Sequence, residues 1–230
     1  MGEGIILQNK LVVAIDGPAG AGKSTVAKLA AQQLGYTYID TGAMYRAVAW
    51  KTLQQGKPVT DELILSVVPD IVVDLQYKDG QTTVLVDGTD VTDSIRTPEI
   101  NHIVSQVAAL GPVRTKMVDL QRGMATRGGV LMDGRDIASH VLPQADVKIF
   151  LTASIEERAH RRWLELKEKG YDITLEQLQK DIAARDKADS EREISPLVQV
   201  EEATLLDTTG MSIDEVVAKI LELCDEGGKA

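Results

Sequence analysis

The chain is poor in the residues that bind by stacking and in those that cross-link. Among 230 residues it has one cysteine, one phenylalanine, two tryptophans and five tyrosines. A single thiol, Cys224, admits no intrachain disulfide and fits a reducing compartment. It lies in an apolar-periodic stretch, where helix packing is the expected role. So few rings offer little surface for unpaired bases to stack on. No apolar run approaches the ~20 residues that span a bilayer. The formal charge of −10 repels nucleic-acid backbones and anionic membranes unless the basic residues are gathered in one place. Residues 1–10 show no basic segment followed by an apolar one, so no leader is expected. MGEGII fails as a myristoylation signal because Ile6 stands where Ser or Thr is needed. These absences lead us to expect a cytoplasmic monomer with no nucleic-acid or membrane partner.

The length suits one domain carrying insertions, with no internal repeat, low-complexity segment or linker to divide it. Five short apolar segments read as buried strands: 11–15, 36–39, 129–132, 147–151 and 204–206. Helical patterns with recognisable ends alternate with them. One runs from Lys23 to Leu34 and stops at Gly35; Ser154 with Glu157 and Ser212 with Glu215 look like capping boxes. This alternation predicts an α/β fold, a five-stranded parallel sheet wrapped by helices. Two regions interrupt it. Residues 71–95 read as a small antiparallel meander turning at KDGQ and DGTD, followed by a helix over 98–110. Residues 155–193 read as two amphipathic helices split by KGYD, the second capped by Thr174 and Gln177.

DGPAGAGKST, Asp16 to Thr25, completes the pattern G-x-x-x-x-G-K-[ST] between an expected strand and an expected helix. Its glycines let backbone N–H groups converge on an anion, Lys23 adds a mobile positive charge, and Ser24 offers a hydroxyl to Mg2+. The alternative is a Gly-rich turn that merely closes a strand and helix, and the full motif in this context disfavours it. The loop alone does not choose among kinases, switch GTPases, transporter ATPases and helicases. No guanine-reading Asn-Lys-x-Asp follows it, and no Leu-Ser-Gly-Gly-Gln transporter signature is present.

The eleven arginines narrow the choice. Arg46 follows the second expected strand, Arg135 follows the third, Arg158 and Arg162 share a helix face, and Arg185 and Arg192 flank the end of the second inserted region. Ligands of open α/β sheets bind beyond the carboxyl ends of the strands, so Arg46, Arg135 and the phosphate loop should face one crevice. Solvated charge is the alternative for any one of them, and the one preferred for Arg161. The Arg158–Arg192 group could also form a salt-bridged helix surface. More cationic donors than one triphosphate requires suggest a second phosphate-bearing ligand, hence phosphoryl transfer between two anions. His102, His140 and His160 form no pattern.

IDGPAGAGKST, DTGAMYR (40–46), IRTPEI and SQVAAL (95–110), DGRD (133–136), VKIFLTAS with ERAHRRW, and RDKADSERE before PLV occur in an order and spacing that resemble the bacterial cytidylate kinases. The resemblance covers the whole chain. It implies a P-loop kinase fold that transfers the γ-phosphoryl group of ATP, with Mg2+, to CMP or dCMP in pyrimidine metabolism. It also implies a core of about 1–65, 111–154 and 194–230, a monophosphate-binding insertion over about 66–110 and a lid over about 155–193. By the family pattern Gly17, Pro18, Ala19, Gly20, Ala21, Gly22, Lys23, Ser24 and Thr25 bind ATP, with Arg158 and Arg162 on the lid beside it. Lys23, Arg135, Arg185 and Arg192 are the expected catalytic set. Asp40, Tyr45 and Arg46 belong with CMP; Ser105, Arg114 and Asp136 would read cytosine, and Asp189 the sugar.

Cytosine offers an amine donor to a carboxylate where uracil reverses the polarity. Ser105 could instead pack a helix, Asp136 could pair with neighbours of Arg135 or assist Mg2+, and Tyr45 could stack or pack. Asp133 is a further candidate for the metal's outer shell. Lys187 and Ala188 depart from the family's arginine-rich lid, which leaves open how Arg158, Arg162, Arg185 and Arg192 divide the work. A uridylate or mixed pyrimidine kinase and a nucleotide-holding regulatory protein are the competing functions.

Overall fold

The computed structural model describes residues 10–228 apart from Asp79 and Lys169. The MGEGII start lies outside these residues, as do those two positions of the KDGQ and KGYD turns. In chain order the elements are β1 (Val12–Asp16), α1 (Lys23–Leu34), β2 (Thr37–Asp40), α2 (Thr41–Leu53), α3 (Asp61–Val67), β3 (Val73–Lys78), β4 (Gln81–Val86), β5 (Thr89–Asp90), α4 (Pro98–Ala109) and α5 (Gly111–Ala125). There follow β6 (Val130–Asp133), β7 (Val147–Thr152), α6 (Ile155–Glu168), α7 (Leu175–Glu191), β8 (Thr204–Asp207) and α8 (Ile213–Gly227). Between β6 and β7 the chain makes one π turn, Ile137–Val141.

The five expected strands form one parallel sheet, in the order β2-β6-β1-β7-β8. Four of them run on to an aspartate, so that Asp40 pairs in register with Asp133, Ile15 with Asp133, and Asp16 with Phe150. Both faces of the sheet are covered, as parallel pairing requires. Val13 and Ile15 point into a core shared with α1 and α8, whereas Ala14, Ile39 and Met132 point to the opposite face, against the π turn and the end of α5. Helices α2, α4 and α5 close a third core with the antiparallel sheet β3-β4-β5.

The sequence pattern did not show α2 or α5. Helix α2 is buried on nearly every side and so carries no amphipathic period, and Asp40 caps it by accepting from Ala43 N at 2.9 Å. Helix α5 opens with Gly111-Pro112, which reads as a break, yet proline is tolerated in a first turn whose N–H groups lack intrahelical acceptors. Of the expected capping boxes, Ser212/Glu215 is complete. Ser154 and Thr174 each accept one backbone N–H, from Glu157 and Gln177, while Glu157 turns to Arg161 and Gln177 to Asp181. Helices α6 and α7 have a core of their own in which only Ala159, Leu178 and Ile182 are fully buried. With so little fully buried apolar surface, this pair contributes only a small core of its own. Among the described residues no helix is long and apolar enough to cross a membrane.

Candidate active site

The site lies at the carboxyl ends of β1, β6 and β2, where three neighbouring strands each end in an aspartate. Each carboxylate has its own partners. Asp16 accepts Ile137 N and Ala138 N, both at 2.8 Å. Asp40 caps α2 and pairs with Arg96 at 3.4 Å. Asp133 accepts Tyr38 Oη at 2.7 Å and Ser24 Oγ at 3.1 Å, and its carbonyl accepts Thr41 Oγ1 at 2.8 Å. Burial raises the Asp16 and Asp133 carboxyls to about 6, with the negative charge of Asp40 adding to the rise at Asp133.

The loop between β1 and α1 needs glycine for two reasons. Gly17 (φ 148°) sits so near β7 that a Cβ there would lie 1.9 Å from Leu151 O, and Gly20 and Gly22 have φ of 73° and 87°. Gly22 caps α1 without a side chain, so the first N–H groups of that helix are left for an acceptor from elsewhere, which is the property that binds phosphate. Lys23 is buried and donates to Gly17 O and Pro18 O, both at 2.7 Å. Burial, then the charge of Arg135, holds its ammonium well below the usual lysine range.

Cations converge on this loop. The Arg185 guanidinium is pushed down to about 10 by burial and then by Arg135 and Arg46, with Arg162 adding to the effect. Arg46 is lowered by burial while Asp40 holds it charged, and it also feels Arg96 and Arg135. Its Nε reaches Asn101 Oδ1 at 3.5 Å. Arg185 Nε is buried with no hydrogen-bond partner, an unmet donor aimed among like charges. Anionic ligands would relieve both the repulsion and the missing bond. Arg135 is held by Asp189, whose Oδ2 accepts its Nε at 2.8 Å; although burial works against it, Arg135, Arg185 and Arg192 keep the Asp189 carboxyl below its ordinary range.

Beside this cluster is a second, buried one. Asp136 lies between Arg114, which donates to its Oδ2, and Arg192, whose Nη2 is 3.5 Å from its Oδ1. Arg192 also donates to Ser195 O at 2.6 Å, and the Arg114 guanidinium sits 5.4 Å from the centre of the Tyr45 ring. Burial pushes the Tyr45 phenol up to about 12. Gln121 lies close enough to that hydroxyl to favour its anion, yet neither group completes a hydrogen bond. Ser105 is half-buried on α4.

The structure therefore brings Lys23, Arg46, Arg135 and Arg185 together and joins Arg114, Asp136 and Arg192 beside them. The arginines of α6 differ from one another in their partners. Arg158 is buried and spent on packing: Nε donates to Ala153 O, Nη1 to Ala19 O at 2.8 Å, and Nη2 pairs with Asp186 at 2.7 Å. Asp186 in turn accepts Ala19 N. Arg162 pairs with Glu165 at the surface. Arg161, read as a solvated charge, instead holds Thr208 O at 2.8 Å and reaches Ala21 O in the phosphate loop. Its spacing of three from Arg158 places both on the loop-facing side of α6. Arg46 is in the second turn of α2. Sequence reasoning missed Arg96, Asn101, Asp186 and Tyr38, whose roles arise from pairings far apart along the chain. His102, His140 and His160 are all exposed.

A protein-family model described as cytidylate kinase matches residues 13–226. A cytidylate kinase of Desulfitobacterium hafniense (strain Y51) is 51% identical over 221 residues, which is 96% of this chain and 95% of that one. A cytidylate kinase of Bacillus cereus (strain ATCC 10987 / NRS 248) is 51% identical over 218 residues, 94% and 97% of the two chains. Among solved structures, an uncharacterized protein from Eubacterium ventriosum ATCC 27560 superposes with a TM-score of 0.52 at 12% identity, over 95% of this chain and 99% of that one. That likeness concerns the fold alone.

Proposed function

The chain belongs to the cytidylate kinase family, and on that premise we propose that it transfers the γ-phosphoryl group of ATP to CMP and dCMP, with Mg2+, in pyrimidine nucleotide metabolism. The observation that carries the reading is the pair of adjoining clusters: a phosphate-binding loop ringed by Arg46, Arg135 and Arg185, and a buried carboxylate, Asp136, fixed between Arg114 and Arg192. The first suits two phosphate chains and the second a base that carries an amine.

The ATP phosphates take the residues 17–25 loop and the N-terminus of α1, and draw Lys23 from the two carbonyls it now holds. The CMP phosphate takes Arg46, Arg135, Arg185 and Arg192, and Asp189 keeps Arg135 in place through Oδ2 while leaving its other carboxylate oxygen for the sugar. Asp136 accepts from the cytosine amine, and Ser105 and Arg114 serve its acceptors; Tyr45 lies under Arg114. A phosphate nucleophile is already anionic, so alignment and charge stabilisation suffice, without a general base.

Ser24 Oγ with Asp133 Oδ2 3.1 Å away forms the kind of hard-oxygen donor set that fits Mg2+ beside phosphates. This supports Asp133 over Asp136 as the carboxylate near the ion. When bound, Mg2+ would neutralise charge on the phosphate oxygens.

Residues 155–193 act as the lid, 66–110 as the monophosphate-binding insertion, and the remainder as the core. Arg158 and Asp186 couple the lid to the loop at Ala19, while Arg185 and Arg162 bring charge to the phosphates. The single buried thiol supports a reducing, cytoplasmic setting. Phosphorus NMR of the protein mixed with ATP, Mg2+ and CMP tests the proposal: CDP resonances should grow as ATP falls, and ATP loss without CDP, or no loss, would refute it.

A further inference from the structure

Asp136 occupies the cap position of the π turn Ile137–Val141, but its carboxylate does no capping because it is turned to Arg114 and Arg192. The first N–H groups of such a turn have no acceptor within it. Asp16 supplies one from 121 residues away: it is 2% exposed, and its two oxygens accept Ile137 N and Ala138 N at 2.8 Å each. The residue before it, Ile15, accepts Gly134 N at 3.0 Å. Two consecutive residues of β1 thus hold three backbone donors that bracket Arg135 and Asp136.

On its other side Asp16 is bonded to Gly17, which is wedged against Leu151 O and begins the phosphate loop. We propose that Asp16 is a positioning residue that sets the base-reading turn in register with the phosphate loop, and so governs selection of the cytosine monophosphate. This rests on the kinase reading above. Only a carboxylate offers two acceptors and no donor at this place; the amide of Asn would turn an N–H toward one of the two backbone N–H groups. Burial makes the charge costly here, since the carboxyl is raised to about 6, so the site keeps an unfavourable group where a neutral one would be easier to bury.

The test compares wild type with Asp16→Asn by calorimetric affinity for ATP, CMP and UMP, and by steady-state kinetics. With one buried hydrogen bond lost and two donors set face to face, KM and Kd for CMP should rise about tenfold and the CMP to UMP preference should fall about fivefold or more, while ATP affinity stays within about twofold. Equal losses for CMP and UMP, or a matching loss for ATP, would overturn the proposal, because a merely structural role weakens all three alike. If Asp16→Asn does not accumulate folded, Asp16→Ser, smaller and with one acceptor, carries the same comparison. A wild-type protein that forms no CDP would sink the kinase reading instead, and the calorimetric comparison of CMP, UMP and ATP would still decide the role of Asp16.

Discussion

Replacing Asp136 by Asn would examine the proposed base-reading cluster most selectively. The Asp136 side chain is 6% exposed, facing Arg114 at 3% and Arg192 at 8%, so solvent screens none of the three appreciably. Asn keeps the shape, removes the charge and turns one acceptor into a donor. Toward the cytosine amine, a hydrogen bond to a charged acceptor is worth about 1.5–3 kcal/mol, which at 1.4 kcal/mol per decade is about 10- to 150-fold in kcat/KM. Toward the uracil carbonyl the same change replaces repulsion by a donor. The CMP to UMP ratio of kcat/KM should therefore fall by about 10²-fold. Two buried guanidinium groups also lose their counter-charge, a class of change that costs up to about 3–5 kcal/mol of stability, so folding must be verified by circular dichroism at the assay temperature. The assay couples ADP release to NADH oxidation with each monophosphate in turn. A folded Asp136→Asn protein whose CMP to UMP ratio stays within about twofold of wild type would refute the reasoning.

Three further outcomes are expected. Lys23→Ala should lower kcat by about 10²-fold or more, because it removes the cation that the proposed function assigns to the transferred group; a rise in KM for ATP alone, at unchanged kcat, would contradict that role. Gly17→Ala forces a Cβ to within 1.9 Å of Leu151 O at a φ of 148°, and urea denaturation should show a loss of about 3 kcal/mol or more; wild-type stability would contradict the observed packing of β1 against β7. Because the folded carboxyl of Asp16, at about 6, lies above its ordinary value of 3.8, its contribution to stability is complete below about pH 4 and is lost as pH rises through 6. The stability of wild type relative to Asp16→Asn should accordingly decline between pH 4.5 and pH 7.5, and a difference that grows over that range would show the sign to be wrong.

The sheet was legible because the strands are short and apolar and four of the five are closed by an aspartate, and the phosphate loop because its spacing is dictated by backbone chemistry. What stayed hidden depended on tertiary contact. Helix α2 is buried on nearly every side and shows no period, and Arg161 differs from a solvated cation through Thr208, 47 residues on, and Ala21, 140 residues back. Asp16 reads as the end of a strand until the π turn is seen against it. Arg158 and Arg162 are alike in sequence, yet one is welded to Ala19 and Asp186 and the other lies at the surface with Glu165.

The central claim is that a kinase loop and a cytosine-reading cluster share one crevice, and kcat/KM of the unaltered protein for CMP, dCMP, UMP, AMP and GMP with Mg2+ and ATP tests it most directly. CMP and dCMP should be phosphorylated, UMP at least about tenfold less efficiently, and the purine monophosphates hardly at all. Equal efficiency for UMP and CMP, or no ADP with either cytosine nucleotide, would contradict the account.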